Sequence, residues 1–392
     1  MNTKARGSVR LVFFLFLLHL ALLANDPCHA SDPFPTFPCL EPNVRFWIDV
    51  YTKYNTTTGI IHDASDLNIV YGVIDLLPED KIGARRTNQE RIHAVKERYK
   101  KILEELFENS APEDPEKRRI ADLFGSTAGP DAFRQASNNI RCQVGQKDRF
   151  ETGLIRSGAY LRRMKAIFRS HGLPEDLCYL PHVESSFNVA ASSKAGAAGM
   201  WQFTRATGKK FLTMNQSLDE RRDPIRASEA AAKLLKQNYE LLGNWPMAIT
   251  AYNHGIAGML RAKEELGTYE AVFERYAGRR FKFASRNFYS EFLAARHVAK
   301  NHALYFAGVE LHAALESREV PTTAQTSMAA LSRRYEVDLE TLCALNPALG
   351  KPVLKGQRQV PKGYLLRLPA DTVKGPRLSS VTLPDLHPDL RP

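Results

Sequence analysis

The stretch HVESSFNVAASSKAGAAGMWQF, residues 182–203, combines features that an ordinary core helix lacks. A single carboxylate residue, Glu184, stands between the apolar residues Val183 and Phe187, and hydroxyl, alanine and glycine residues follow it. An apolar setting raises the pKa of a carboxyl group, and such a group delivers protons well near neutral pH. The stretch predicts a catalytic Glu184 in an apolar cleft, and the alternative is a solvated helix residue followed by turn-forming glycines.

The second half of this stretch carries residue types that suit a sugar ligand. Gly196 and Gly199 allow the backbone to approach a ligand closely, because they lack a Cβ atom. Trp201 and Phe203 offer aromatic faces for stacking, and the Gln202 amide can bond both ends of an acetamido group. Together these residues predict a cleft for an amino sugar.

Helical patterns surround the stretch, from about residue 150 to residue 300. Pro174 is expected to open a helix that leads to Glu184, and Pro181 should kink or tighten that helix just before the carboxylate. Pro224 opens a further predicted helix, and no strand-helix-strand rhythm interrupts the region. The sequence therefore predicts a mainly α domain.

Two motifs in this helical region resemble the signatures of the lytic transglycosylases that share the soluble lytic transglycosylase domain. ESSFNVAASSKAGAAGMWQF, residues 184–203, is similar to the first signature, and ITAYNHG, residues 249–255, is similar to the second. DERRDP, residues 219–224, looks like the branch typified by membrane-bound lytic transglycosylase D. The resemblance covers about residues 150–300 and implies a mainly α fold of the α+β lysozyme-like superfamily.

The resemblance also implies roles for five residues. Glu184 becomes the sole catalytic acid and base, and Tyr252 becomes the residue that hydrogen-bonds to it and orients it. Ser193 and Gln202 fall on positions that contact the N-acetyl and sugar groups, and Tyr289 in RNFYSEFL falls on a tyrosine near the cleft. The Glu-Thr pair that the family has upstream of this tyrosine is replaced here by Ser-Arg.

The implied enzyme cleaves the β-1,4 bond between N-acetylmuramic acid and N-acetylglucosamine in peptidoglycan without water. Glu184 would protonate the linking oxygen, the substrate's acetamido oxygen would stabilise the cationic centre, and Glu184 would then deprotonate the muramic 6-hydroxyl. That hydroxyl closes a 1,6-anhydro ring, so one carboxyl group serves where most glycosidases use two. No cofactor or metal is expected, and no HExxH or comparable metal-binding spacing occurs.

Two other hypotheses fit the sequence. A hydrolase resembling goose-type lysozyme would use a second carboxylate, such as Asp219, Glu220 or Asp223, to position water. A catalytically silent scaffold would bind peptidoglycan without cleaving it, although Glu184, Gln202 and Tyr252 argue against this. The ordinary interpretation of residues 219–224 is helix capping together with surface charge.

The amino terminus predicts export. Three basic residues precede an apolar block over residues 11–24, and a small residue, Ala30, follows it. This layout is typical of a cleavable signal peptide, and a transmembrane anchor is the alternative. The mature protein is therefore expected in the periplasm or the cell envelope.

The cysteines after residue 30 permit a disulfide in such an oxidising compartment. Cys39 and Cys142 bracket the amino-terminal region and are the predicted pair. Cys178 lies in an apolar run and is predicted to belong to the core.

The chain is basic, with 54 Lys and Arg residues against 43 Asp and Glu residues and a net charge of +11. Removal of residues 1–30, which hold three basic residues and one acidic residue, lowers this charge to +9. Such a charge favours anionic surfaces, so peptidoglycan glycan strands are the expected partner and peripheral association with a membrane is allowed. No nucleic-acid partner is expected, because no RRM-like, zinc-finger or helix-turn-helix signature occurs. The sequence does not indicate which proteins, if any, bind to this one.

Composition divides the chain into five predicted segments. They are a signal peptide (1–30), an N-terminal accessory region of mixed structure (31–148), the helical catalytic domain (149–305), a small βααβ-like module (317–370) and a disordered tail (371–392). In the accessory region, FWIDVYTKY (46–54) and LNIVYGVIDLL (67–77) predict short strands around the NTTTG turn.

The C-terminal module resembles a LysM domain. YEVDLETLCALNPAL (335–349) and VPKGYLLRLP (360–369) match that family best, whereas TTAQTS (322–327) replaces its usual Gly-Asp-Thr turn. The resemblance implies binding of N-acetylglucosamine polymers, and the alternative is a structural remnant that packs on the catalytic domain.

Overall fold

A computed structural model describes residues 32–372 of the chain. The predicted signal peptide and nearly all of the predicted tail lie outside these described residues. Between residues 32 and 372, the helices are all too short or too polar to cross a membrane. Residues 36–372 belong to one compact unit, and the predicted division of that unit into three segments stays a prediction.

The accessory region combines helices with a three-stranded antiparallel sheet. Its strands are β1 (Thr58–Asp63), β2 (Val70–Asp75) and β3 (Ile140–Val144), and β1 lies between the other two. Its helices are α1 (Glu41–Thr52), α2 (Ala84–Glu108), α3 (Pro115–Asp122) and α4 (Pro130–Ser137). Tyr99 and Leu103 of α2 belong to one buried cluster with Ile61 and Tyr71 of the sheet. The long helix α2 therefore covers one face of this sheet.

The strand predicted over residues 46–54 is wrong, because most of this segment lies in α1. Its buried residues Phe46, Trp47, Val50 and Tyr51 follow helical spacing, although aromatic and β-branched residues favour strands when taken one by one. The helix buries this stripe against the rest of the protein, and tertiary packing outweighs the local preference. LNIVYGVIDLL does contain β2, as predicted.

Helices dominate residues 147–305, the part of the chain between β3 and the C-terminal module, which confirms the mainly α prediction. Its helices are α5 (Lys147–Ser157), α6 (Leu161–Ser170), α7 (Leu180–Ser185), α8 (Arg205–Gly208), α9 (Pro224–Leu242), α10 (Trp245–His254), α11 (Ile256–Leu266), α12 (Tyr269–Arg275), α13 (Phe283–Lys300) and α14 (His302–Tyr305). Helix α10 is buried over seven consecutive residues and packs against α9, α11 and α13. A helix that is apolar all round in this way lies at the centre of a core.

Helix α1 of the accessory region packs directly on α13. The Asn43 side-chain amide donates a hydrogen bond of 2.7 Å to Asn287 Oδ1, and Trp47 Nε1 donates one of 3.3 Å to the same oxygen. The accessory region thus shares a buried interface with the helical region.

The C-terminal module has the predicted βααβ order with one added helical turn. It contains β4 (Ser317–Pro321), α15 (Met328–Tyr335), α16 (Leu339–Leu345), α17 (Lys351–Leu354) and β5 (Leu365–Pro369), and β4 and β5 pair antiparallel.

The predicted disulfide between Cys39 and Cys142 is wrong, because both thiols are free. Cys39 lies near Glu270 and Glu274, whose charges raise its pKa after the larger effect of burial. Cys142 lies on β3, and its Sγ atom packs against Gly59 of the neighbouring strand β1. The two cysteines bracket the accessory region in sequence, but the fold places them beside different elements.

Candidate active site

Glu184 lines a cleft of about 1310 Å³. Three parts of the chain contribute its walls. The accessory region supplies Asp80, the helical region supplies Glu184 and Asp219, and the C-terminal module supplies Leu349 and Lys351. The cleft therefore combines residues that are far apart in the sequence.

The backbone around Glu184 breaks helical geometry on both sides. A 3-10 turn, Glu175–Tyr179, precedes α7, and Pro181 lies in the first turn of α7 instead of inside a longer helix. Directly after α7, Ser186 and Phe187 have φ values of +50° and +56°. Left-handed conformations are costly for residues other than glycine, and they persist where the surrounding structure imposes them. Glu184 is thereby held at the very end of a short helix.

The carboxyl group of Glu184 has a strongly raised pKa. Burial raises this pKa from 4.5 to about 8, and the charge of Glu291 adds to the effect. The side chain is partly exposed, because it borders the cleft. Glu184 is therefore protonated at neutral pH and accessible to a ligand, as a general acid must be.

Glu291 is a second carboxyl residue near Glu184, and it is not among the residues predicted from the sequence. It lies on α13, where burial raises its pKa to about 8 as well. The stretch RNFYSEFL offers the same signal that identified Glu184, a single carboxylate among aromatic and apolar residues. The family resemblance implies a role for Tyr289 in this stretch and none for Glu291.

His182, two residues before Glu184 in the sequence, is buried among aromatic rings. Its ring is 3% exposed, and neither ring nitrogen has a hydrogen-bond partner among the described residues. The ring centroid lies 4.7 Å from that of Phe150 and 4.6 Å from that of Phe187. Burial lowers the pKa of His182 to about 3, so this histidine is neutral and brings no positive charge to the carboxyl group.

Gln202 and Ser193 use their polar groups within their own loop. Gln202 Nε2 donates a hydrogen bond of 2.8 Å to the Gly199 carbonyl, and Ser193 Oγ accepts one of 3.0 Å from the Ala197 amide. Ser193 is exposed, and its neighbour Ser192 lines the cleft. Neither predicted sugar contact is among the residues that line the cleft with Glu184, and their contact with sugar stays a prediction.

Tyr252 lies near Glu184 but does not make the expected hydrogen bond. Its hydroxyl donates a bond of 2.8 Å to the Trp201 carbonyl. Burial raises the pKa of Tyr252, and the charge of Glu184 raises it further, so the two groups are close enough to interact. Tyr252 therefore connects α10 to residues 194–203, the glycine-rich loop that contains Gly196 and Gly199.

Three aromatic residues with predicted roles at the ligand site belong to the core. Trp201 is 0% exposed and donates a hydrogen bond of 2.9 Å from Nε1 to Ser228 Oγ, and Phe203 is also buried. Tyr289 is 0% exposed and packs edge-on against Tyr269. The stacking predicted for Trp201 and Phe203 is wrong, because both rings are buried in the core, whereas the predicted role of Tyr289 near the cleft stays a prediction.

Gly199 serves the fold and not a ligand. Its φ is +78°, and a Cβ atom at this position would lie 1.8 Å from the Arg221 carbonyl oxygen. At Gly199 the close neighbour is therefore the backbone of Arg221 in DERRDP, and not a ligand as the sequence predicts.

DERRDP caps helices, as predicted, but its charges are largely buried. Asp223 Oδ1 accepts hydrogen bonds of 2.9 Å from the amides of Ile225 and Arg226 at the start of α9. The buried Arg221 pairs with Asp219 and donates to the Gly196 carbonyl at 2.8 Å. The segment therefore holds the glycine-rich loop in place, and the expectation of surface charge is wrong.

Most cleft-lining cations have partners within the protein. Arg149 pairs with Glu79 at 2.6 Å, and Arg222 donates a bond of 2.8 Å to Ser192 Oγ. In contrast, within residues 32–372 no hydrogen bond or ion pair engages the Lys351 side chain, which is exposed. The same described range contains no cluster of three or more His, Cys, Asp or Glu residues that could hold a metal ion.

The family model for the Transglycosylase SLT domain matches residues 164–271. This range contains Glu184 and Tyr252, and Tyr289 lies beyond its end.

The chain is similar to membrane-bound lytic murein transglycosylase D of Escherichia coli strain K12, with 31% identity over 110 residues. The match covers 28% of this chain and 24% of the relative. The protein of the same name from Escherichia coli O6:H1 gives the same values. The chain thus spans about a quarter of the length of these curated relatives.

Among solved structures, an inactive mutant of lytic transglycosylase Slt from Pseudomonas aeruginosa aligns at 19% sequence identity with a TM-score of 0.32. The alignment covers 38% of this chain and 25% of that chain. From the family match and the sequence identity, residues 164–271 form a transglycosylase SLT domain that is homologous to part of membrane-bound lytic murein transglycosylase D.

Proposed function

We propose that this protein is a peptidoglycan lytic transglycosylase in which Glu184 is the catalytic acid and base. The observation that carries this proposal is a carboxyl group with a pKa of about 8 on the wall of a large cleft. At neutral pH the proton on Glu184 is available for transfer to the oxygen that links N-acetylmuramic acid to N-acetylglucosamine.

One carboxyl group is enough for this reaction, because Glu184 gives up one proton and takes one back. Proton transfer from Glu184 breaks the bond between the muramic C1 atom and the linking oxygen, and the acetamido oxygen stabilises the positive charge at C1. The Glu184 carboxylate then takes the proton of the muramic 6-hydroxyl, whose oxygen bonds to C1. The products are a 1,6-anhydro end and a free hydroxyl, and Glu184 is protonated again.

The neighbouring carboxyl groups support ring closure over hydrolysis. A two-carboxyl hydrolase needs one ionised carboxylate beside the acid. Glu291 has a pKa of about 8 and is protonated at neutral pH. Asp219 lines the cleft and its pKa is lowered, so it is ionised, but Arg221 donates a hydrogen bond to each of its two oxygens and leaves it poorly placed to position water.

The proposed substrate and location agree with the charge of the chain and with the names of its relatives. Those relatives are murein transglycosylases named as membrane-bound. A net charge of +11 favours association with anionic polymers and membrane surfaces. We place the protein in the cell envelope, acting on glycan strands.

Digestion of purified sacculi tests this proposal. The wild-type protein should release muropeptides with 1,6-anhydro ends, detected by mass spectrometry. Glu184→Gln should lower the rate by about 10²-fold to 10⁴-fold, because the general acid is lost. Glu240→Gln, at an exposed position of α9, is the matched control and should keep the wild-type rate.

Other outcomes would contradict the proposal in different ways. Reducing ends in place of anhydro ends would identify a hydrolase, and Asp219→Asn would then be expected to lower the rate. Full activity of Glu184→Gln would remove Glu184 from the mechanism. Binding of sacculi without any cleavage would indicate the silent scaffold.

A further inference from the structure

The C-terminal module is joined to the helical region by backbone hydrogen bonds. The Asp219 amide donates to the Ala348 carbonyl at 2.7 Å, and the Gly350 amide donates to the Ser217 carbonyl at 2.9 Å. Leu218, between the two bonded residues, belongs to the buried core of the module. A segment of the helical region is thus built into the module.

Buried ion pairs reinforce this joint. Arg367 of β5 is 4% exposed and pairs with Asp223, the residue that caps α9. Glu319 of β4 accepts from Arg367 at 3.1 Å and from Arg226 of α9 at 3.1 Å. Because a buried charge that loses its partner is costly, these contacts hold the module in one position.

The contacts between the module and the helical region lie next to the cleft in sequence and in space. Pro347, Leu349, Gly350 and Lys351 of the module line the same cleft as Glu184. They follow Asn346, whose side chain is hydrogen-bonded to Arg367 through its carbonyl and its amide. A module fixed in this way presents residues 347–351 at a constant place in the cleft.

Lys351 lies on this wall, and its ammonium group has no hydrogen-bond or ion-pair partner within residues 32–372. Its ammonium group has three hydrogen-bond donors. It is exposed and has no partner within the described residues, whereas Arg149 and Arg222 in the same cleft are engaged. An unpartnered cation on a cleft wall suits an anionic group on the ligand.

We propose that residues 347–351 form a substrate-binding wall of the cleft and that Lys351 pairs with a carboxylate of the glycan strand. This inference rests on the proposed function, because that function supplies the ligand. The module then acts as part of the catalytic cleft and not as a separate anchor. The carboxylate has two sources in peptidoglycan, the stem peptide and the lactyl group of muramic acid.

Binding measurements on the full chain test the proposal. Lys351→Glu and Lys351→Ala are placed in a Glu184→Gln background to prevent cleavage. Lys355→Glu is the matched control, an exposed lysine four residues further along that does not line the cleft. Three probes are used. Peptide-bearing glycan strands carry the carboxylates of the stem peptide, and strands from which an amidase has removed the peptide carry the free lactyl carboxylate. Chitin oligomers carry no carboxylate.

Lys351→Glu should weaken binding of the carboxylate-bearing strands about tenfold, Lys351→Ala should weaken it less, and neither should change binding of chitin oligomers. A loss confined to peptide-bearing strands identifies the stem peptide, and a loss confined to stripped strands identifies the lactyl group. Both losses should diminish at high salt.

The proposal is overturned if Lys351→Glu and Lys355→Glu behave alike on all three probes, or if the parent chain binds none of them. The proposed function fails separately, through cleavage assays in which Glu184→Gln keeps full activity. Equal thermal melting temperatures of the two Glu variants would show that both are folded.

Discussion

Two pairs of carboxyl groups near the cleft have opposite surroundings. Glu184 and Glu291 lie in a setting where burial raises both pKa values to about 8. Asp219 and Asp223 lie within 40 residues of Glu184 in sequence, but each is paired with a buried arginine, Arg221 or Arg367. Burial alone would raise the pKa of Asp219, and hydrogen bonds from Arg221 together with its charge lower it below the ordinary value. Surroundings, and not residue type, decide which carboxyl groups carry a proton.

Arg367→Ala should have the largest effect on stability. The substitution leaves Asp223 buried without its cation, and such losses cost about 3–5 kcal/mol of unfolding free energy. Urea denaturation of the full chain measures this change. Arg358→Ala, at an exposed position of the same module, is the control and should change stability by less than about 0.5 kcal/mol.

A second substitution separates the charge effect from packing. Asp223→Asn combined with Arg367→Met removes both charges and keeps a side chain that can cap α9. The double variant should recover part of the stability that Arg367→Ala loses. Equal losses in both variants would show that the ion pair is not what holds the module.

The pH dependence of cleavage should follow the protonation of Glu184. The active acid form is fully populated well below pH 8 and is lost as the pH rises through the pKa of about 8. The value of kcat/KM should therefore fall about tenfold for each pH unit above that pKa. Assays of the wild-type protein from pH 5 to pH 10 measure this profile, and a decline that begins near pH 5 would show that the carboxyl group is not held protonated.

Glu291→Gln should have the smallest effect. The substitution removes a neighbouring charge that raises the pKa of Glu184, so the alkaline decline should move to lower pH. Near pH 6 both carboxyl groups are protonated, and the loss of rate should stay well below the ~10²-fold that follows removal of a general acid. Because the two groups titrate as a coupled pair, the whole profile is compared with that of the Glu240→Gln control. An unchanged alkaline decline would show that Glu291 does not act on Glu184.

Local sequence rules succeeded where one segment holds all the information. Asp223 and Pro224 begin α9, and Gly243 in the left-handed region ends it. Glu184 was identified from its apolar neighbours and from the motif around it, and the structure places it on the cleft wall.

The same rules failed where the direction of a side chain depends on distant residues. Trp201 beside a flexible glycine run can face solvent or the core, and its bond to Ser228 on α9 holds it in the core. Tyr289 and Glu291 are two residues apart on α13, yet the tyrosine is fully buried and the glutamate interacts with Glu184. Neither outcome follows from the neighbours of these residues along the chain.

The sequence by itself determined the mainly α class, the starts of several helices, the SLT domain signature and the choice of Glu184. These features depend on backbone preferences and side-chain spacing over a few turns. Only the tertiary structure decided which carboxyl groups are protonated and that Asp80, Glu184 and Lys351 share one cleft. Burial and Coulomb interactions depend on separation in space, and these three residues are brought together only when the chain has folded.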